Sequence, residues 1–266
     1  MKTLTIPEFS SKQLIIFDLD GTLAPSKSIA DREMVKLLLA LLERKKVAVI
    51  GGGKYAQFQQ QILARLPRRD DRLRNLFLFP TTSNAFYRYH AGWKNMYSLT
   101  LSAAEKSGIR KAVRETLKDI NYVPPAKVYG VTLEDRGTQM SFSPLGQDVV
   151  AKLGAKGIRM KEEWKKKNDA LRFKIAKLLA KRLPKLEVRV GGLTTIDITR
   201  KGIDKAYGIR QIKKILSIPI RDMVFIGDAL YPGGNDNAAR ETGVDCIQVR
   251  DPEDTKRIIE KIIAAR

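Results

Sequence analysis

Ile15-Ile16-Phe17-Asp18-Leu19-Asp20-Gly21-Thr22-Leu23 is a short apolar run that ends in two carboxylates on alternate residues, then a glycine and a hydroxyl. A run of this length reads as a buried strand. Side chains two apart on a strand point the same way. Asp18 and Asp20 can therefore share one site at the strand's carboxyl end, with Gly21 permitting a sharp turn. Open α/β sheets bind their ligands at that end. Two carboxylates so close repel unless a cation or a proton lies between them. On this stretch alone a solvated Asp-x-Asp-Gly turn is an equal reading.

Outward from this stretch the pattern is regular. Ala30 to Lys46 reads as an amphipathic helix, and Val47-Ala48-Val49-Ile50 as a second buried strand closed by Gly51-Gly52-Gly53. A helix to about Leu66 and a third strand, Leu76 to Phe79, follow. This β-α-β-α-β order predicts a parallel sheet with right-handed crossovers. The texture then changes. Ala85 to Tyr89 and Asn95 to Leu101 alternate about Ala91-Gly92 as a hairpin, and two further strand pairs flank a long basic helix, Trp164 to Arg182. The α/β texture returns at Ile203: a helix from Asp204 to Leu216, a strand Met223 to Ile226, a strand Asp245 to Val249 and a terminal helix. One α/β domain, residues 1–82 and 201–266, is thus expected to be split by an inserted α+β domain with an antiparallel sheet, residues 83–200.

Composition narrows the chemistry. The longest apolar run, Leu37 to Leu42, is far too short to span a bilayer, so no membrane partner is expected. Met1 to Phe9 shows no apolar block followed by a cleavage site. Cys246 is the only cysteine, which excludes an intramolecular disulfide and points to a reducing cytoplasm. His90 is the only histidine, and in Tyr87-Arg88-Tyr89-His90-Ala91-Gly92 it reads as a surface residue of a hairpin turn. That removes paired-His metal sites and His-Cys zinc clusters. The net charge of +21 asks for an anionic partner. Residues 83–200 hold 24 of the 50 Lys+Arg and 11 of the 29 Asp+Glu, a net +13. Lys165-Lys166-Lys167 reads as a solvated helix face rather than a nucleic-acid site. Trp164 and Phe173 read as core packing, and Cys246 as buried and inert.

The split domain supplies four strand-end clusters: Asp18 with Asp20, the Gly51–Gly53 loop, Lys205 at a helix start, and Asp228 with Asp236. Together they suit phosphoryl transfer. Mg²⁺ prefers carboxylate and phosphate oxygens, aspartyl-phosphate formation is a known covalent strategy, and a lysine adds positive charge at the transferring group.

These residues resemble the haloacid dehalogenase superfamily. Asp18-Leu19-Asp20-Gly21-Thr22 matches its first motif, Lys205 its third, and Gly227-Asp228 with Asn235-Asp236 its fourth. The insertion stands where a type-2 (IIB) cap is found, so the resemblance implies a Rossmann-like core carrying an α+β cap. Local strings are similar to the eukaryotic-type phosphomannomutases: Asp20-Gly21-Thr22-Leu23-Ala24-Pro25, Ser143-Pro144-Leu145-Gly146, Gly191-Gly192 followed by Thr195-Ile196-Asp197, Asp204-Lys205-Ala206-Tyr207, and Pro232-Gly233-Gly234-Asn235-Asp236.

What the resemblance implies is as follows. Asp18 is the nucleophile and Asp20 the general acid and base. Asp18, the backbone carbonyl of Asp20, and Asp228 hold Mg²⁺, with Asp236 supporting the metal. Lys205 steadies the transferring phosphoryl. Arg136 grips the distal end of a phosphorylated sugar, Arg159 falls near a second such arginine, and Thr195 and Asp197 touch the substrate. Any homodimer is expected through the cap. Three departures stand out. The second motif's Ser or Thr is replaced by Gly51, Gly52 and Gly53, whose backbone can still hold a phosphate with help from Lys54. The arginine after Ser-Pro-x-Gly is Gln147. The residue after Asp228 is Ala229. The expected activity is Mg²⁺-dependent phosphoryl transfer on a hexose phosphate, phosphomannomutase-like. A sugar-phosphate phosphatase is the close alternative, and a basic nucleic-acid-binding protein reusing the fold is the reading from another class.

Overall fold

The computed structural model describes residues 6–264, so the N-terminal leader reading lies partly outside the described residues. In chain order the strands are β1 (Leu14–Asp18), β2 (Lys46–Ile50), β3 (Leu76–Phe79), β4 (Ala85–Tyr89), β5 (Trp93–Ser98), β6 (Leu133–Asp135), β7 (Met140–Phe142), β8 (Leu186–Gly191), β9 (Thr195–Arg200), β10 (Met223–Gly227) and β11 (Asp245–Gln248). The chain forms two compact units, one from residues up to Ser98 and from Ile203 on, the other from Leu99–Gly202.

The first unit is built on a seven-stranded sheet of order β11-β10-β1-β2-β3-β4-β5. The run from β11 to β3 is parallel. Continuous apolar strands suit such a sheet because both faces are covered. Ile15, Phe17, Val47, Val49, Val224 and Ile226 pack on one side, and Leu14, Ile16, Ala48, Ile50, Met223 and Phe225 on the other. Each of these side chains larger than alanine contributes roughly 1.5–3 kcal/mol on burial. The Arg32–Leu42 helix covers the first side with Met34, Val35, Leu38, Leu41 and Leu42. It starts at Asp31, which accepts from the Met34 N–H at 2.8 Å, so the helix begins two residues later than the apolar spacing suggests. The Lys205–Leu216 helix covers the second side with Ile209 and Ile212, and Asp204 caps it by accepting from the Tyr207 N–H at 2.8 Å.

The Ala85–Ser98 hairpin departs from the expected boundary at residue 83. β4 pairs antiparallel with β3 and so extends the central sheet. Phe86 stacks on Phe79 at 4.7 Å and Tyr87 on Tyr55 at 3.9 Å. Alternation there marks an antiparallel extension of a parallel sheet, which looks the same in sequence as the start of a new domain. His90 is exposed at the hairpin tip, its N–H donating to Gly92.

The second unit holds an antiparallel sheet of order β6-β7-β9-β8. The Ala103–Asp119 and Ala155–Arg182 helices pack on its apolar face through Ile109, Val113, Met140, Phe142, Ile175, Leu179, Ile196 and Ile198. One expectation fails here, and one in the first unit holds only in part. Phe173 is 54% exposed, with Arg172 over its ring, because it lies off the helix stripe that Ile175 and Leu179 define. Cys246, on the outermost strand β11, is half-buried, and burial pushes its thiol up to about 11. Among the described residues no helix is long and apolar enough to cross a membrane.

Candidate active site

Parallel registration brings the acidic strand ends together. β1 lies between β10 and β2, so Asp18, at the end of β1, has Gly227-Asp228 on one side and Ile50, just before Gly51, on the other. Lys205 begins its helix directly against this point. Its ammonium lies 2.5 Å from Asp18 Oδ1 and also donates to Asp236. All three side chains are at least 95% buried. Asp236 is fixed on its other oxygen by the Ala229 N–H at 2.9 Å, so the departure at 229 leaves the backbone donor in use. A Cβ on Gly227 would lie 2.3 Å from Asp236 Oδ2, so only glycine admits that approach.

Oxygens of Asp18, Asp228 and Asp236 all lie within 4.8 Å of one another. Three carboxylates against the single Lys205 ammonium leave two negative charges uncompensated in a buried place. The consequence is a shift in how these groups ionise. Burial, with Asp236 and Asp228 adding repulsion, pushes Asp18 well above the usual carboxylate range against the pull of Lys205. Burial pushes Asp228 up to about 6, again with Asp236 adding to it. For Lys205, burial alone would favour the neutral amine, but Asp18 and Asp236 outweigh it and hold the ammonium charged. An all-oxygen donor set short of two positive charges fits a small, hard divalent cation such as Mg²⁺.

Asp228 therefore makes a testable difference. In an unfolded chain it titrates near 4. Between that and about 6 the folded protein binds the extra proton, so metal-free stability falls as pH rises across this window and stays lower above it. The shift corresponds to about 3 kcal/mol. At pH 7.5 Asp228→Asn is expected to raise the melting temperature of the metal-free protein and to shrink the rise that Mg²⁺ produces in the wild type. A variant that melts lower without metal contradicts this account.

Asp20 lies past the strand end, where Gly21, at φ +87°, turns the chain beneath Asp228. Its carboxylate accepts from the Lys27 N–H at 2.6 Å, from Gln61 Nε2 at 2.9 Å and from Gln57 Nε2 at 3.4 Å. Gln57 and Gln61 are four apart on the Tyr55–Gln61 helix and so share its face. The sequence reading missed them, although the spacing was visible. The Gly51–Gly53 loop is tied to the end of β3, with Thr82 N–H on Gly51 O at 2.9 Å and Thr81 N–H on Gly53 O at 2.8 Å. Thr81, Thr82 and Ser83 all adopt left-handed backbone, with φ of 48°, 52° and 71°. For non-glycine residues this costs about 1–2 kcal/mol each. Lys54, at the start of the next helix, is exposed.

In the second unit, Asp197, Ser141, Glu134 and Arg189 occupy one row across the sheet. Ser141 donates to Asp197 at 2.6 Å. Arg136 donates to Glu134 at 2.8 Å and to Gln147 Oε1 at 3.2 Å, while Gln147 Nε2 donates to Ser141 O at 2.9 Å. Thr195, on the same face as Asp197, donates to Gly191 O at 2.6 Å. Arg159 is exposed on the Ala155–Arg182 helix and is not part of this row. Sequence reading had not picked out Glu134, Ser141 or Arg189, because pairing across strands, not spacing along one, assembles them.

Comparisons with known proteins bear on the family and the fold. The family model described as eukaryotic phosphomannomutase matches residues 34–265. The phosphomannomutase of Encephalitozoon cuniculi is 25% identical over 95% of this chain and 94% of its own length. That of Saccharomyces cerevisiae is 24% identical over 97% and 99%. Among solved structures, an IMP-bound Plasmodium falciparum IMP-nucleotidase superposes with a TM-score of 0.67 at 16% identity, covering 97% of this chain and 71% of that one. Aspergillus fumigatus trehalose-6-phosphate phosphatase does so with 0.51 at 16% identity, covering 97% and 96%. At such identity the structural likeness carries the fold alone.

Proposed function

The chain belongs to the eukaryotic phosphomannomutase family and is an enzyme of the haloacid dehalogenase fold, and from that premise we propose that it performs Mg²⁺-dependent phosphoryl transfer on a hexose phosphate through a phospho-aspartate. The single observation that carries the reading is Lys205, buried between Asp18 and Asp236 with Asp228 beside them. Asp18 is the nucleophile: its carboxylate oxygen forms a bond to phosphorus as the sugar oxygen leaves. Asp20 gives that oxygen a proton, then takes one from the water or hydroxyl that receives the phosphoryl. Gln57, Gln61 and the Lys27 N–H hold its carboxylate for both steps. Lys205 keeps a fixed positive charge at Asp18, where positioning and electrostatics supply most of the rate. Asp18, Asp228 and the Asp20 carbonyl would hold Mg²⁺, with Asp236 in support, and the ion would supply the charge that keeps these carboxylates ionised and screens the phosphate.

The Leu99–Gly202 unit serves as the substrate-specificity cap, with Arg136, Thr195 and Asp197 as sugar-phosphate contacts and Arg159 as a further anion contact. Glycine backbone N–H groups at Gly52 and Gly53, helped by Lys54, hold the transferring phosphate. A second reading, hydrolysis, is favoured by one observation. Gln147 stands where the resemblance calls for an arginine, and both ends of its amide are engaged. The cap then has one cation fewer for a second phosphate. The test is incubation with mannose 1-phosphate or glucose 1-phosphate and Mg²⁺, with and without a hexose bisphosphate, following free phosphate and the 6-phosphate isomer. The isomer supports the mutase, free phosphate alone supports the hydrolase, and neither product from either sugar sinks the hexose phosphate reading.

A further inference from the structure

We propose that the Thr82 hydroxyl donates to the transferring phosphoryl group the hydrogen bond that the Gly51–Gly53 loop has no side chain to make. The proposal rests on the phosphoryl-transfer reading above.

Registration places this hydroxyl. Asp18 pairs with Ile50, and Ile50 with Phe79, so the residues just past β2 and β3 lie beside the nucleophile in successive rows. The first of these is the glycine loop. The second is Pro80-Thr81-Thr82-Ser83, three hydroxyls in a row at a strand's carboxyl end. A Cβ added to Gly52 would find one atom within 4 Å, Thr82 Oγ1 at 3.9 Å. The threonine hydroxyl thus borders the space that a side chain at Gly52 would enter.

The backbone of this turn is the second observation. Three consecutive left-handed residues without a glycine, two of them β-branched, are genuine outliers. Such conformations persist where surrounding structure over-determines them, and they cluster at functional sites. Here the turn is gripped from two sides. The Gly51 and Gly53 carbonyls hold the Thr82 and Thr81 N–H groups. On the other side Gly208, in the helix that Lys205 begins, comes so close that a Cβ there would lie 2.1 Å from Ser83 Oγ. The turn is therefore fixed to both the phosphate loop and the lysine helix. Of its three hydroxyl residues, Thr81 and Ser83 are buried, and Thr82 alone is partly open. The left-handed conformation is what delivers that one hydroxyl; an extended chain past Phe79 would alternate it away.

The variants are Thr82→Gly and Thr82→Ser. Glycine adopts this backbone without strain, so Thr82→Gly is expected to melt no lower than the wild type. Its kcat on the sugar phosphate turned over by the wild type is expected to fall about 100-fold, as for loss of one preorganised donor. Thr82→Ser is expected to stay within about threefold of wild type, because it keeps the donor. Binding of orthovanadate with Mg²⁺, followed by calorimetry, gives a second readout that needs no sugar. Thr82→Gly is expected to bind it about tenfold or more weakly, and Thr82→Ser as the wild type does. If the wild type turns over neither sugar phosphate, the reading of substrate class fails, while vanadate affinity still decides the role of Thr82. A Thr82→Gly protein with wild-type vanadate affinity overturns the proposal, and so does a Thr82→Ser protein that falls as far as Thr82→Gly.

Discussion

Lys205→Met is expected to destabilise the metal-free protein by about 3–5 kcal/mol, the usual result of removing one partner from a buried ion pair. The reason is local. Asp18 and Asp236 have their side chains almost wholly out of solvent, and Lys205 is the cation that touches both. Methionine fills much of the same volume but leaves two carboxylates facing each other with no compensating charge. Both are then driven towards their protonated forms. Added Mg²⁺ is expected to restore part of the lost melting temperature, since it replaces missing positive charge at the same oxygens. It is not expected to restore turnover, because the fixed charge at Asp18 is gone. Thermal melts with EDTA or Mg²⁺, run beside the sugar phosphate assay, check both halves. A variant as stable as the wild type without metal contradicts the electrostatic account of this cluster.

Asp18→Asn carries the second large effect, with opposite signs for stability and activity. An amide cannot form the phospho-aspartate, so turnover is expected to fall by about 10⁴-fold or more. Stability moves the other way. Burial raises the Asp18 pKa, so in the metal-free protein its ionised form is disfavoured above the pH where an unfolded aspartate ionises. Removing that charge is expected to raise the metal-free melting temperature at neutral pH and to flatten its decline with rising pH. Acid quenching with phosphate-labelled substrate is expected to trap labelled wild-type protein and no labelled variant. Labelled Asp18→Asn protein would place the nucleophile elsewhere.

The strand-end cluster of the first unit and the side-chain row of the second differ in how far the sequence reveals them. Asp18 and Asp228 are legible because each follows an apolar run, and Lys205 because it starts a capped helix; Asp236, in the loop after β10, is legible through the motif it shares with the resembled family. A parallel sheet is bound to gather its strand ends on one edge. Gln57 and Gln61 were legible in principle, as an i, i+4 pair one turn beyond the glycine loop. The Thr81-Thr82-Ser83 turn was not, since threonine and serine carry no local preference for left-handed backbone and only the surrounding contacts impose it. The row of Glu134, Ser141, Asp197 and Arg189 was hidden for a different reason. Its order depends on β9 lying between β7 and β8, and pairing order is not written in spacing along one strand. The hairpin after β3 shows the same limit, because antiparallel alternation identifies strands but not the sheet they join.

β1 is completed by β10, a strand that begins 209 residues later in the chain, at Met223 opposite Leu14. At roughly 5–20 residues per second of synthesis, β1 leaves the ribosome some 10–40 seconds before its neighbour exists. In that interval β1 can pair with β2 on one side only. Its other edge, Leu14 to Asp18, is an unprotected apolar strand of the kind that recruits other chains. The Leu99–Gly202 unit has been made in full by then and has its own apolar core. The nascent protein therefore holds a finished insert and an unfinished sheet at the same time. The last quarter of the chain brings β10, Lys205 and Asp228 together, so closure of the aggregation-prone edge and assembly of the carboxylate–lysine cluster are one event in biosynthesis.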